Sequence, residues 1–207
     1  MQTLLRGMTM LLVLTGAMVS TSSAAEKKAA KGVLEPHPIS KTFYVSGVNN
    51  AEQIAAINSA VGKLPSVTAV KELTPTSGYV RVDFDTHKIA SHLVAQTIMD
   101  QGAFTVTLKF EIPEYAANAA KIDALFAKLL TERKVKIEPV DREKGQFVLT
   151  YLPITPDPAD PRKVGFNPGH LGHPLHDDPP AGMGLTLRMT EAPRTDAPAA
   201  KGKRKAK

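Results

Sequence analysis

KTFYVSGVNNAEQIAAINSAVGKLPSVTAVKELTPTSGYVRVDFDTHKIASHLVAQTIMDQGAF, residues 41–104, sets two helical periods among strands of two-residue period. Residues 42–48 alternate around Phe43 and Val45, as a half-buried strand does. Residues 51–63 place Ile54, Ile57 and Val61 on one helical face, with Leu64 closing the last turn. Asn49 or Asn50 stands where an N-cap belongs, and Gly62 with Pro65 marks the exit. Residues 67–73 form a second strand, and the turn cluster Pro75-Thr76-Ser77-Gly78 leads to a third at 79–85. In that third strand Val80, Val82 and Phe84 face one way, Arg81 and Asp83 the other. A second helix fits 90–101 through Leu93, Val94 and Ile98, with Gly102 as its stop. Val106, Leu108 and Phe110 then mark a fourth strand at 104–112. The order β-α-β-β-α-β predicts an α+β fold of the split βαβ kind, a four-stranded antiparallel sheet with both helices on one face.

Phe84-Asp85 closes the third strand, Lys88-Ile89 lies before the second helix, and Gly102-Ala103-Phe104 follows it. These landmarks resemble those of the heavy-metal-associated domain family of copper chaperones and metal-pumping ATPases. Leu64-Pro65-Ser66-Val67 stands where that family reads LPGV. The resemblance covers about a third of the chain and implies a ferredoxin-like domain at 41–112 with a role in metal handling. It also implies a metal loop, GMTCxxC, between the first strand and the first helix. Here that place holds Gly47-Val48-Asn49-Asn50-Ala51-Glu52-Gln53, so the two thiolate positions fall on Asn50 and Gln53, and the chain has no cysteine. Soft sulfur holds Cu(I) and Zn(II), whereas neutral carboxamides are hard, weak ligands. Soft-metal binding at this loop is not expected. Asn49 or Asn50 is expected to cap the helix, the alternative being a loop that still docks a partner.

Residues 113–190 read as a degenerate second ferredoxin-like unit, αββ-loop-β. Ile122, Leu125, Phe126 and Leu129 give 115–134 an amphipathic helical face, and 135–140 and 146–152 form a hairpin around Asp141-Arg142-Glu143-Lys144-Gly145. The unit copies the first if the fourth strand doubles as its opening strand. Its second helix is expected to be missing. Residues 153–180 contain eight of the sixteen prolines, which rules out a helix there and leaves a Pro/His-rich loop at 153–183. Residues 184–190 then supply a short closing strand.

The ends carry the remaining signals. Arg6, the apolar run 8–19 and the small residues Ser22, Ser23, Ala24 and Ala25 read as a signal peptide at 1–25, too short to span a membrane. A periplasmic or secreted protein is expected, one that folds without disulfides. Residues 26–40 are Ala, Lys and Pro rich and read as a flexible leader; 191–207 read as a disordered basic tail. The formal charge of +6 resides at these ends, since 25–193 balances 19 basic against 19 acidic side chains. A neutral body with few aromatic residues argues against a nucleic-acid partner. The tail offers at most an electrostatic contact with anionic surfaces.

Among groups that could carry chemistry, His170, His173 and His176 recur every third residue, with Asp177 and Asp178 directly after. Imidazole and carboxylate together suit Zn(II), Cu(II) or Ni(II), so His170, His173, His176 and Asp177 are the expected metal ligands. A solvated His-Pro-Gly loop is the plainer alternative. His87 and His92 are five apart, a poor chelating interval, and His92 falls on the polar face of the second helix, where solvent exposure is expected. Asp83 and Asp85 share what reads as an exposed strand face. No cysteine nucleophile, GxSxG elbow, phosphate loop or HExxH occurs, so an enzyme is not expected. The expectation is an exported, non-enzymatic binding protein that takes a transition-metal ion in the His/Asp loop. The alternative is a metal-free module for protein–protein or envelope-surface contact.

Overall fold

Alternation of apolar and polar residues builds a sheet whose apolar face packs with all four helices in one core. The structure is a computed structural model that describes residues 38–156 and 165–192. The expected signal peptide, most of the leader and the tail beyond Ala192 lie outside the described residues. The elements are β1 (Pro38–Ser46), α1 (Ala51–Gly62), β2 (Val67–Lys71), β3 (Tyr79–Asp85), α2 (Ser91–Met99), β4 (Thr105–Glu111), α3 (Tyr115–Arg133), β5 (Val135–Asp141), β6 (Gln146–Tyr151), α4 (Gly169–His176) and β7 (Arg188–Thr190). No described helix is long and apolar enough to cross a membrane.

The strands form one open antiparallel sheet, ordered β2-β3-β1-β4-β6-β5, with β7 also paired to β4. The first four strands follow the split βαβ order β2-β3-β1-β4. Around β4 that order recurs as β5-β6-β4-β7. One edge of β4 pairs with β6, and the other is divided. Residues Thr105, Val106 and Thr107 face Ser46, Val45 and Tyr44 of β1, while Lys109, Phe110 and Glu111 face Thr190, Met189 and Arg188 of β7. A single core results. Phe43, Val82, Leu108, Phe110, Phe147 and Leu149 from the strands join Ile57, Val94, Ile98, Ile122, Phe126, Leu171 and Leu175 from all four helices in one buried cluster.

Three expectations need correction. The leader does not run to residue 40, because β1 begins at Pro38 and pairs Pro38, Ile39 and Ser40 with β3. The tail does not loosen at residue 191. Glu191 binds Lys41 Nζ at 3.3 Å and accepts from Thr42 N at 3.1 Å, and Arg81 Nη2 donates to the Ala192 carbonyl at 2.9 Å. The proline-rich stretch is not free of helix, since α4 forms with Pro174 inside it. An interior proline costs a helix roughly 3 kcal/mol. Leu171 and Leu175, one helical turn apart, are almost wholly buried, and each such burial contributes roughly 1.5–3 kcal/mol. The returning chain also meets the helix end: Met183 N donates to the Pro174 carbonyl at 3.0 Å and Leu185 N to that of Leu175 at 2.7 Å. Burial outweighs local preference.

Candidate functional site

Helix α1 starts in the loop where the family resemblance places a metal site. Asn50 is its N-cap, with extended backbone, and its Oδ1 accepts from Gln53 N at 2.9 Å. Gln53 Oε1 in turn accepts from Asn49 N at 2.9 Å, so the two carboxamides close the helix start reciprocally, much as a capping box does. Both side chains are committed to backbone N–H groups. Asn50→Ala should lower stability by about 1 kcal/mol, read as a shift in the urea midpoint at unchanged slope.

Helix α4 carries the expected metal ligands but does not converge all four. At about 100° per residue, His170 and His176 lie about 120° apart around its axis. His170 Nδ1 accepts from Asn167 N at 3.0 Å, and its ring packs edge-on to Phe166 at 6.0 Å between centroids. Burial, then the charge of Arg133 and the neighbouring His173, hold the His170 pKa below its ordinary value. His173 Nδ1 lies 3.6 Å from Asp177 Oδ2, one turn on. These two share a cleft of about 500 Å³ with His176, Thr186 and Leu187. Among the described residues no group of three or more His, Asp or Glu side chains is arranged to hold a metal ion. The structure therefore pairs His173 with Asp177, sets His176 on the same cleft and turns His170 to another task.

The expectation for His92 is overturned. Ser91, His92 and Gln96 of α2 are buried at 0%, 0% and 7% exposure, because chain from beyond β6 docks on this polar stripe. His92 Nε2 is 2.8 Å from the Leu152 carbonyl, and Phe166 N donates to His92 Nδ1 at 3.1 Å. An N–H donor at Nδ1 requires that nitrogen to be bare, which puts the ring proton on Nε2. Alongside, His92 N donates to the Phe166 carbonyl at 3.1 Å, and Ile154 N to Gln96 Oε1 at 2.8 Å. Asn167 Oδ1 accepts from Ser91 N at 2.7 Å, so a residue distant in sequence caps the start of α2. The sequence signal was the want of a local cap, since Ala90 at that position has no side-chain acceptor. Asp85 is likewise buried, at 6% exposure, and its Oδ1 accepts from His87 N at 2.9 Å.

No family model matches the chain, and no curated protein matches it. Among solved structures it is similar to a Bacillus anthracis protein assigned as copper-ion-binding, at 28% identity and a TM-score of 0.32, over 34% of this chain and 97% of that one. It is also similar to the water-soluble region of the P-type ATPase CopA from Bacillus subtilis, at 18% identity and a TM-score of 0.35, over 74% of this chain and 92% of that one. The N-terminal soluble domains of Bacillus subtilis CopA match at 18% identity and a TM-score of 0.32, over 60% of this chain and 84% of that one. Strand order, and not these likenesses, defines the fold described above.

Proposed function

We propose that the chain is an exported, non-enzymatic binding module of two split βαβ units, about 41–112 and 113–190, whose cargo is a divalent transition-metal ion. The ion, Zn(II), Cu(II) or Ni(II), is held by His173 and Asp177, with His176 on the same cleft and water completing its shell. The observation that carries this reading is the approach of His173 Nδ1 to Asp177 Oδ2 across one helical turn. Imidazole and carboxylate at that interval form a two-point chelate for borderline metals. Export is supported by the apolar run at 8–19 with small residues after it, and the non-enzymatic reading by the missing nucleophile motifs. Calorimetric titration with each of the three ions tests the site. Binding should vanish in His173→Ala and persist in His170→Ala, because His170 serves Asn167 instead.

A second reading, a metal-free interaction module, is favoured by the closed Asn50–Gln53 loop. Of the two outer strands, β5 is blunted by Pro139, a register shift beside it and the Lys136–Glu138 ion pair, so a partner would not add a strand at that edge. Absence of heat with all three ions leaves this reading standing.

A further inference from the structure

We infer that His92 is a pH-sensitive latch: its neutral ring fastens residues 165–167 to α2, and its protonation unfastens them. The inference stands apart from the metal reading, since His92 touches none of the residues assigned to the ion. The contact is made in both directions. Phe166 N donates to His92 Nδ1 while His92 N donates to the Phe166 carbonyl, and Gly165 lies so close that a Cβ there would fall 2.6 Å from the ring's own Cγ. With Nε2–H already directed at the Leu152 carbonyl, a second ring proton must go to Nδ1. It would then oppose the Phe166 N–H, two donors with no acceptor between them, around a charge buried in the core.

Among the described residues, few charges face this ring. Tyr151 of β6 packs edge-on to it at 4.9 Å between centroids, and burial holds that phenol well above its ordinary range, so it stays neutral. From α3 the approach is by the Arg133 carbonyl, which with that of Leu152 favours the ring proton. Residues 165–167 bring no ionisable side chain, and His170 turns to Phe166 and Asn167. Burial is the larger influence and lowers the His92 pKa. The unfastened state therefore binds the proton more readily than the fastened one. The latch is at full strength above the ordinary histidine value of about 6.5 and weakens as pH falls below it towards the depressed folded value. An exported protein meets the pH of its surroundings, which is where such a latch would act.

Hydrogen exchange of the full mature chain at pH 7.5 and 5.0, corrected for intrinsic rates, tests the inference. Protection at 165–171 should fall, a single proton permitting up to about thirtyfold over that interval, while β1 and β3 keep theirs. His92→Gln can offer one donor and one acceptor but cannot titrate, so its protection should be flat with pH. Equal loss in wild type and His92→Gln, or no loss in wild type, overturns the latch. Should His92→Gln fail to fold, an NMR titration of the wild-type ring decides. A midpoint that coincides with the opening supports the latch, and a ring that stays neutral until global unfolding overturns it.

Discussion

Phe147→Ala is expected to lower the unfolding free energy by about 3–5 kcal/mol and to do so in one transition. Phe147 is 2% exposed and sits where three elements of the second half meet the shared strand. Its ring stacks on Phe110 of β4 at 5.6 Å between centroids and takes the edges of Tyr115 at 4.9 Å and Phe126 at 5.1 Å. Truncation removes most of that aromatic packing and leaves a cavity that β-sheet neighbours cannot close, because their ladder hydrogen bonds fix their spacing. A domain of ordinary stability holds about 5–15 kcal/mol, so the loss takes a large share. The more informative outcome is its cooperativity. Phe110 shares β4 with Val106, which pairs with Val45 of β1, so damage at Phe147 should propagate across the sheet. Urea unfolding followed by far-UV circular dichroism and by tyrosine fluorescence should give coincident curves, both displaced. A biphasic curve in which only one phase moves would show two independently stable halves, against the single core.

Legibility in the sequence followed how local the deciding term was. Strand β3 spans the residues its alternation predicts, 79–85, because Val80, Val82 and Phe84 need only a sheet face and Gly78 supplies the turn before them. The cap on α1 is equally local: Asn50 reaches an N–H three residues on. Helix α4 was hidden because its decisive term, the burial of Leu171 and Leu175 under the returning 183–185 segment, is tertiary, while the contrary term, Pro174, is visible at once. The burial of His92 is hidden for the same reason. The apolar stripe of α2 correctly located Val94 and Ile98 in the core, but nothing nearby announces that residues 165–167 return to cover the polar side. At the candidate site, three-residue spacing drew attention to the histidines. Once the segment is helical, the same spacing spreads them around the axis, and the four-residue interval from His173 to Asp177 is the one that meets.

Gly145→Ala is expected to cost about 2–4 kcal/mol, and a second glycine separates its two causes. The hairpin between β5 and β6 turns through Asp141, whose Oδ1 accepts from Glu143 N and Lys144 N at 3.1 Å each, and it ends at Gly145 with φ +65°. An L side chain pays roughly 1–2 kcal/mol to hold that left-handed conformation. Gly78 has the same φ, +65°, with nothing within 4 Å of the place a Cβ would occupy, so Gly78→Ala should show that strain alone. At Gly145 a Cβ would fall 2.0 Å from the Ile112 carbonyl oxygen, a backbone atom of a fully buried residue between β4 and α3. The hairpin must move away, and the Ile112 N–H bond to the Gly145 carbonyl, 2.8 Å long, weakens with it at a cost of roughly 1 kcal/mol. Paired urea titrations should therefore place Gly145→Ala well below Gly78→Ala. Amide exchange in Gly145→Ala should quicken at 112–116, where the hairpin tip braces the start of α3. Equal midpoints for the two variants would mean that the hairpin yields without cost and does not hold the β4–α3 junction.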